Sequence, residues 1–415
     1  MSEVKNIPEG WMETTLEKAI DIKHGYAFKG EFISLEVNNK ILITPGNFKV
    51  GGGFKSDKFK YYAGDFPEDY ILKPNDVIVT MTDLSKEGDT LGFSAKIPED
   101  NSDYLHNQRI GLVKFINSDF DKEFIYWFLR TNHYQKSMVN SSTGSTVRHT
   151  SPNRIKEYNF YCPTIQEQKS IASILTAFDD KIELLQAQNK TLEATAQTIF
   201  AEWFGKYGVD DVLPEGWRVG KLGDLINIIG GGTPKTSVEE YWNGNILWYS
   251  IVDSPNGSNC FVIETEKKIS EDGLKNSSTK ILRQGTTIIS ARGTVGKLAI
   301  VGEQMAMNQS CYGIQGKDNV GDFFTYFQIK NSLIQLQNNV HGAVFDTITK
   351  PTLEEIDSII PSEDLLVNIE ELLASVMNKV LINVYQIQTL TKTRDELLPR
   401  LMSGEVRVNE FKNKN

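Results

Sequence analysis

A chain that repeats itself at a long period folds as similar bodies in tandem, so the internal repeat in these 415 residues limits the architecture before any local propensity is weighed. The segment IPEGWMETTLEKAIDIKHG at 7–25 realigns with LPEGWRVGKLGDLINIIGG at 213–231, placing Pro8 on Pro214, Trp11 on Trp217, Leu16 on Leu222 and Gly25 on Gly231, an offset of 206. ILKPNDVIVTMT from Ile71 realigns with ILRQGTTIISAR from Ile281 at an offset of 210, and DTLGFSAKI from Asp89 with GTVGKLAIV from Gly293 at 204. The first copy therefore carries six extra residues around Ser85 to Asp89. FIYWFLRTN from Phe124 matches FTYFQIKN from Phe324, and from Gly144 and Gly342 onward the offset holds at 198. One unit of about 200 residues is written twice, with different loops.

Each copy has two parts. The first alternates β-like runs with turn signals: KILIT at 40, DVIVTMT at 76 and IGLVKF at 110, mirrored by NILWYSI at 245, TTIISA at 286 and CYGIQG at 311. A helix-like segment interrupts it at 122–139 and again at 322–339. The second part is a heptad pattern. Ile171, Ile174, Phe178, Ile182, Leu185, Asn189, Leu192, Ala196, Ile199 and Trp203 follow one another mostly at spacings of three and four. The second copy repeats this at Ile369, Leu372, Val376, Val380, Asn383, Ile387, Leu390, Arg394, Leu397 and Leu401. A 3.5-residue period held over roughly 33 residues predicts a helix about 50 to 60 Å long whose narrow apolar seam needs another helix against it. Asn189, Asn383 and Arg394 interrupt the seam; they either fix register between the paired helices or mark a weak, solvated turn.

Composition removes several function classes. At 40% hydrophobic and 24% charged residues the chain has the makings of a sizeable core. Its net charge of −10 excludes a generally cationic surface as the basis of function. Cys162, Cys260 and Cys311 are too few and too far apart for a disulfide framework or a cysteine zinc site. No leader-like start and no 18-residue apolar stretch occurs, so a cytoplasmic chain that engages no membrane is expected. Catalytic signatures are missing as well. Without a Pro-Pro pair there is no Asn-Pro-Pro-Tyr loop of the amino-methyltransferase kind. ARGTVGKL at 291–298 fails as a phosphate loop, because Ala291 stands where the first glycine belongs and Leu298 where a Ser or Thr would meet magnesium. Histidines 24, 106, 133, 149 and 341 show no ligand spacing. The expectation is no catalytic residue, no metal and no cofactor in this chain, with Asp179-Asp180 on a solvated helix face.

Binding chemistry concentrates in loops. GNFKVGGGFKSDKFKYY at 46–62 interleaves Lys49, Lys55, Lys58 and Lys60 with aromatics that include Tyr61, around three glycines. Cations suit a phosphate backbone and polar or flat side chains suit base edges, whereas the bland alternative has the aromatics tucked into the core. The second copy has LWYSIVDSPNGSN at 247–259 there, with Trp248 and Ser250 and no lysine, so two such loops would read different sequences. A second pair of segments offers Thr80, Thr82 and Lys86 against Ser290, Arg292 and Lys297. A third, STGSTVRHTSPNRI from Ser142, brings Arg148, His149 and Arg154, and its counterpart from His341 keeps Lys350. For these hydroxyls, helix capping competes with phosphate contact.

The PEGW opening of both copies, GST at 144–146, Gln166-Glu167-Gln168 within PTIQEQKSIASIL at 163–175, and the offset of about 200 together resemble the specificity subunit of type I restriction-modification systems. The resemblance runs from Pro8 to about Gly404. It implies an α+β fold with two αβ target recognition domains in tandem, separated by two long antiparallel coiled-coil-like helices. The corresponding boundaries are 1–162 and 205–360 for the recognition domains, 163–204 and 361–404 for the spacer helices, and 405–415 for a tail. It further implies that each domain reads one half of an asymmetric, interrupted double-stranded DNA site. Two methylation subunits would dock on the chain and bring S-adenosylmethionine and the catalytic loop. Restriction subunits, in systems that have them, add ATP, magnesium and cleavage. The second copy departs from the pattern, with Ala343-Val344 in place of Ser145-Thr146 and PSEDLLVNI in place of the Glu-Gln segment.

The helix segments carry formal charges of −3 and −2, which suits spacer and partner duty and leaves part of the cationic clamp on DNA to a methylation partner. Two other readings remain open. A duplicated coiled-coil adaptor would leave no sequence-selective footprint on DNA, and a fragment of a fused modification enzyme would modify or cut DNA unaided.

Overall fold

The computed structural model describes residues 7–144, 146–255, 257, 259–339 and 347–408; Ser145 of the GST segment, its counterpart around 341–344 and the tail beyond Val408 lie outside them. The chain divides into two compact units, one made of residues 1–180 with 391–415 and the other of 181–390.

In the first unit the strand Val77–Thr80 is buried on both faces, which explains its unbroken VIVT run. It lies in a four-stranded antiparallel sheet ordered Ile20–His24, Ile110–Phe115, Val77–Thr80, Ser94–Lys96. A second sheet combines Ile33–Ser34, Lys60–Tyr62, Lys40–Leu42, Asp103–Leu105 and Ile71–Leu72. The second unit repeats the first sheet strand for strand and in the same order, as Ile226–Gly230, Cys311–Gly316, Thr287–Ser290 and Leu298–Val301, and adds Phe261–Val262 in parallel. Its other sheet is Lys267–Ile269, Trp242–Tyr249 and Met305–Met307.

The repeated residues have repeated jobs. A Cβ on Gly25 would stand 2.1 Å from the Asn107 carbonyl oxygen, and one on Gly231 1.9 Å from that of Asn308, so both positions need glycine for the same backbone approach. Leu16 and Leu222 are fully buried. The strand after each PEGW segment closes its copy by antiparallel pairing, Met12–Thr15 with Asn159–Cys162 and Arg218–Lys221 with Asp357–Ile360. The helix-like segments differ. Asp322–Asn339 is continuous, whereas the first copy breaks into Lys122–Phe128 and Asn132–Asn140, because extended Thr131 caps the second piece by accepting the Tyr134 amide.

The two heptad segments form helices of 40 residues each, a central one at Ile165–Phe204 and a C-terminal one at Glu363–Met402, each about 60 Å long. Each contributes to both units. In the first, Ile171, Ala172 and Leu175 share a core with Leu398, Leu401 and Met402. In the second, Ala196, Phe200 and Phe204 share one with Ile369, Met377, Val380 and Val384. Residue 179 faces 394 and residue 189 faces 383, which is antiparallel pairing. Ile182 and Leu185 are buried in the seam, and Phe178, Leu192, Ile199, Val376, Ile387, Leu390 and Leu397 are half-buried.

Three expectations need correction. Trp203 is 45% exposed, and the seam runs instead through Ala196, Phe200 and Phe204. There the helix packs on Phe324 and Phe327 of its own unit, and the spacing relaxes from alternating threes and fours to steps of four. Leu372 likewise yields its place to Leu373. Asp179 is not on a solvated face: it lies between Arg130, at 2.6 Å, and Arg394. Burial resists its ionisation, but the two guanidinium groups prevail and hold its pKa below the ordinary carboxylate value.

Candidate nucleic-acid interface

The lysine-rich loop of the first unit sorts its side chains by alternation. Phe48 and Tyr62 are buried, and Phe54 and Phe59 both pack edge-on against Tyr104, with half-buried Tyr61 beside them. Lys49, Lys55, Lys58 and Lys60 remain exposed. The aromatics thus serve the core and the cations face water. The start of the loop is pinned by Asn47, which is buried: its Oδ1 accepts the Thr44 amide at 2.9 Å and its backbone carbonyl accepts the Lys55 amide at 2.8 Å. Gly51, Gly52 and Gly53 all have φ between 84° and 92°, the left-handed region open to glycine. Their turn lies against Arg130, whose Nε donates to the Gly51 carbonyl at 3.1 Å and whose Cγ stands 2.5 Å from where a Cβ of Gly52 would be.

The second and third candidate segments meet each other. Arg148–His149 pairs antiparallel with Thr82–Asp83. Arg148 donates from Nε to the Lys86 carbonyl at 2.7 Å and from Nη1 to Ser142 Oγ at 3.2 Å, while Thr82 Oγ1 and His149 Nδ1 are 3.1 Å apart. Thr80 is fully buried, its hydroxyl donating to the Thr82 carbonyl at 2.9 Å, and Thr82 is 5% exposed, so neither hydroxyl faces outward. Ser151 caps the helix Pro152–Lys156 by accepting the Arg154 amide. Lys86 is exposed at the tip of the six-residue insertion.

Asp83 holds that insertion together. Its carboxylate accepts the Ser85 amide at 2.7 Å and both the amide and hydroxyl of Thr90 at 2.6 Å. Burial works against the charge, yet these donors keep the Asp83 pKa below the ordinary carboxylate range. The insertion and the lysine-rich loop line a common groove of about 440 Å³, to which the loop contributes Lys49, Val50 and Lys55 and the insertion segment Asp83, Leu84, Ser85 and Asp89.

The second unit reuses the frame with other side chains. Ser250 and Asp253 occupy the places of Thr44 and Asn47: Asp253 Oδ2 accepts the Ser250 amide at 2.8 Å and its hydroxyl at 3.0 Å. Trp248 is 6% exposed and donates to the Gly232 carbonyl, so it belongs to the core. Ser290 is buried and orders its loop, donating to the Thr294 carbonyl at 2.5 Å and accepting the Lys297 amide at 2.8 Å. Lys297 is half-buried and Arg292 exposed. Lys350 reaches back to the Ile228 carbonyl at 3.0 Å, which commits its ammonium to the fold. Pro255, Gly257, Asn259, Gly296 and Leu298 border a hollow of about 320 Å³ beside Lys330. Lys330 and Tyr326 both bind Glu193 of the central helix, at 2.9 and 3.2 Å, as Arg130 and Tyr126 stand beside Asp179 in the first unit.

Sequence reasoning missed Arg130, Asp83, Asn47 and Asp253, the side chains that shape these loops from behind. Arg130 had a signal, since it aligns with Lys330 in the repeat, but its partners are 79 residues upstream and 49 downstream. Among the described residues no group of three His, Cys, Asp or Glu side chains is placed to hold a metal, and no helix is long and apolar enough to cross a membrane.

Comparison with known proteins supplies the context for this pair of loop-bearing units. The type I restriction modification DNA specificity domain matches residues 8–194 and 214–392. The chain is 27% identical over 305 residues to the type I restriction enzyme MjaIX specificity subunit of Methanocaldococcus jannaschii, covering 70% of each. It is 23% identical over 434 residues to the putative MjaX specificity subunit of the same organism, covering 98% of this chain and 96% of that one. The fold is similar to the crystal structure of the type I restriction-modification system S subunit from M. genitalium, with a TM-score of 0.57, 16% identity, and coverage of 97% and 98%. With both copies of its repeat matched in register, the chain belongs to the type I restriction-modification DNA specificity family and carries two specificity domains in tandem.

Proposed function

We propose that this protein is the DNA-reading subunit of a type I restriction-modification complex, in which each unit reads one half of an asymmetric bipartite site. The family consists of specificity subunits, which are non-catalytic; catalysis belongs to partner subunits. The observation that carries the finer reading is a constant frame with exchanged tips. The capped turns at Thr44 and Ser250 and the order of four strands in one sheet are the same in both units, while the outward side chains differ: four exposed lysines in the first loop, Arg292 in the second unit. Base readout needs that combination, because a rigid scaffold fixes position while a few side chains choose the sequence. The paired 40-residue helices fit a spacer that sets the distance between half-sites and offers anionic surface to two methylation subunits. Those subunits would bring S-adenosylmethionine, and a restriction subunit, in a system that has one, would bring ATP and magnesium.

The test is to map methylated adenines in DNA exposed to this chain together with its methylation subunits. A bipartite motif is expected, and exchange of residues 40–115 for those of another family member should change its first half alone. Methylation without sequence preference, or a change in the second half, refutes the reading.

A further inference from the structure

The central helix belongs to the first repeat and the C-terminal helix to the second, so at the offset of 198 their seams can be compared position by position. They differ at the polar places. Asn189 corresponds to Ile387 and Asn383 to Leu185, while Asp179 corresponds to Met377 and Arg394 to Ala196. Had both repeats kept one seam, either helix could pair with a like helix from a second copy of the chain, because two identical antiparallel helices form a twofold, self-complementary contact.

The polar places meet each other. Asn383 Nδ2 donates to Asn189 Oδ1 at 2.9 Å with both residues fully buried, and Asn189 Nδ2 and Asn383 Oδ1 have no partner at all, so each amide depends on the other. The same register sets Leu185, one turn before Asn189, level with Ile387, one turn after Asn383. Asp179 pairs with Arg394, and the corresponding residues, Ala196 and Met377, are fully buried in one apolar core. Two like helices in this register would undo the match. Two first-repeat helices would set each Asn189 against a Leu185 and each Asp179 against an Ala196; two second-repeat helices would set each Asn383 against an Ile387 and each Arg394 against a Met377. Every seam amide would then be buried unpaired, and Arg394 would lose the carboxylate it shares with Arg130.

We propose that each seam is a recognition surface whose partner is the seam of the other repeat and which rejects a helix of its own kind, so that a first-repeat helix pairs only with a second-repeat helix. Buried polar seam residues choose partners in this way because the wrong partner strands them. On the DNA-reading function proposed above, the consequence is that like halves of two chains do not combine and every reader holds one unit of each kind. The experiment permutes four side chains of the intact chain. Asn383→Leu with Ile387→Asn writes the first-repeat pattern on the C-terminal helix, and Leu185→Asn with Asn189→Ile writes the second-repeat pattern on the central helix. Either pair of substitutions alone makes a like-with-like seam; all four together bring the two asparagines opposite each other again, at positions 185 and 387, with the composition of the parent. Thermal unfolding of the unit 181–390, which contains all four positions, should fall by roughly 5 to 20 °C in each two-substitution chain, from two stranded amides, and return most of the way in the four-substitution chain.

A like-with-like chain as stable as the parent overturns the proposal, and so does a four-substitution chain no more stable than the two-substitution chains, which would mean that each asparagine answers to its own site and not to its partner. If neither two-substitution chain folds, the four-substitution chain decides in the same way: folded protein supports the pairing rule and its absence refutes it. The measurement needs no DNA, so its failure is distinct from failure of the DNA-reading function.

Discussion

Replacing Asp179 with alanine tests whether the lysine-rich loop of the first unit is anchored to the helix pair. The Asp179 side chain is 21% exposed and lies between Arg130, at 3%, and Arg394, at 13%. Arg130 in turn holds the Gly51 carbonyl and the Tyr126 hydroxyl, and its guanidinium lies 4.1 Å over the Trp127 ring. Asp179→Ala removes the one carboxylate shared by two guanidinium groups and leaves them facing each other with little water. Breaking a buried ion pair from one side costs about 3 to 5 kcal/mol. For a unit of this size that is a fall in unfolding temperature of roughly 6 to 20 °C. Arg130→Met is milder, because Asp179 keeps Arg394, and the double variant should cost less than the sum of the two singles. Hydrogen exchange supplies the spatial readout: protection should drop in residues 45–55 and 165–180 and hold in strand Cys311–Gly316 of the other unit. The pH dependence has a definite sign. The folded Asp179 pKa is depressed, so its contribution is complete above the ordinary carboxylate range near pH 4 and is lost as the pH falls below it; the alanine variant lacks this loss. An Asp179→Ala chain less than about 1 kcal/mol below the parent, or an Arg130→Met chain that loses as much, refutes the anchoring argument.

The seam asparagines give a second contrast. Asn189→Leu alone strands the buried Asn383 amide and should cost about 1 to 3 kcal/mol in urea unfolding, whereas changing both to leucine should be nearly neutral or stabilising. One heptad inserted after Leu185, matched by one after Ile387, adds about 10.5 Å to the helix pair and should move the methylated adenines apart by about 3 base pairs; unchanged positions in sequenced DNA count against the spacer role. His106 is buried with Nε2 on the Ile110 carbonyl at 2.8 Å, and burial lowers its pKa to about 4. The unfolded state takes up this proton first, so the first unit should lose stability as the pH falls from about 6.5 toward 4, and His106→Gln should flatten that slope in thermal scans.

What the sequence discloses divides along one physical line. Features set by local period or by the repeat are legible: the strand runs, the two long helices, and the two polar positions at 189 and 383, which the structure places opposite each other. Features set by distant partners are not. Asp179 beside Asp180 has the composition of a surface pair, and nothing near it announces an arginine 49 residues earlier and another 215 residues later. Thr80 and Thr82 look like donors offered to a ligand because hydroxyls are polar, yet the strand pairing turns both inward. Lys350 looks free until the Ile228 carbonyl appears beside it. Trp203 fails for a different reason: a strict heptad holds only while a helix faces another helix, and at Phe200 the neighbour has become the domain.

The first unit is assembled from two segments that flank the second unit in the sequence, and this imposes an order on synthesis. Leu398, Leu401, Met402 and Val408 complete its core, while Arg407 grips Glu167 through two nitrogens at 2.7 and 3.0 Å, next to the Trp11 indole that donates to the same carboxylate at 3.2 Å. Residues 7–180 therefore wait on a ribosome for the segment beyond Leu390, whereas the unit begun second has its whole complement once Leu390 has emerged. A nascent chain stalled at that point should resist protease over 181–390 and remain cleavable over 1–180.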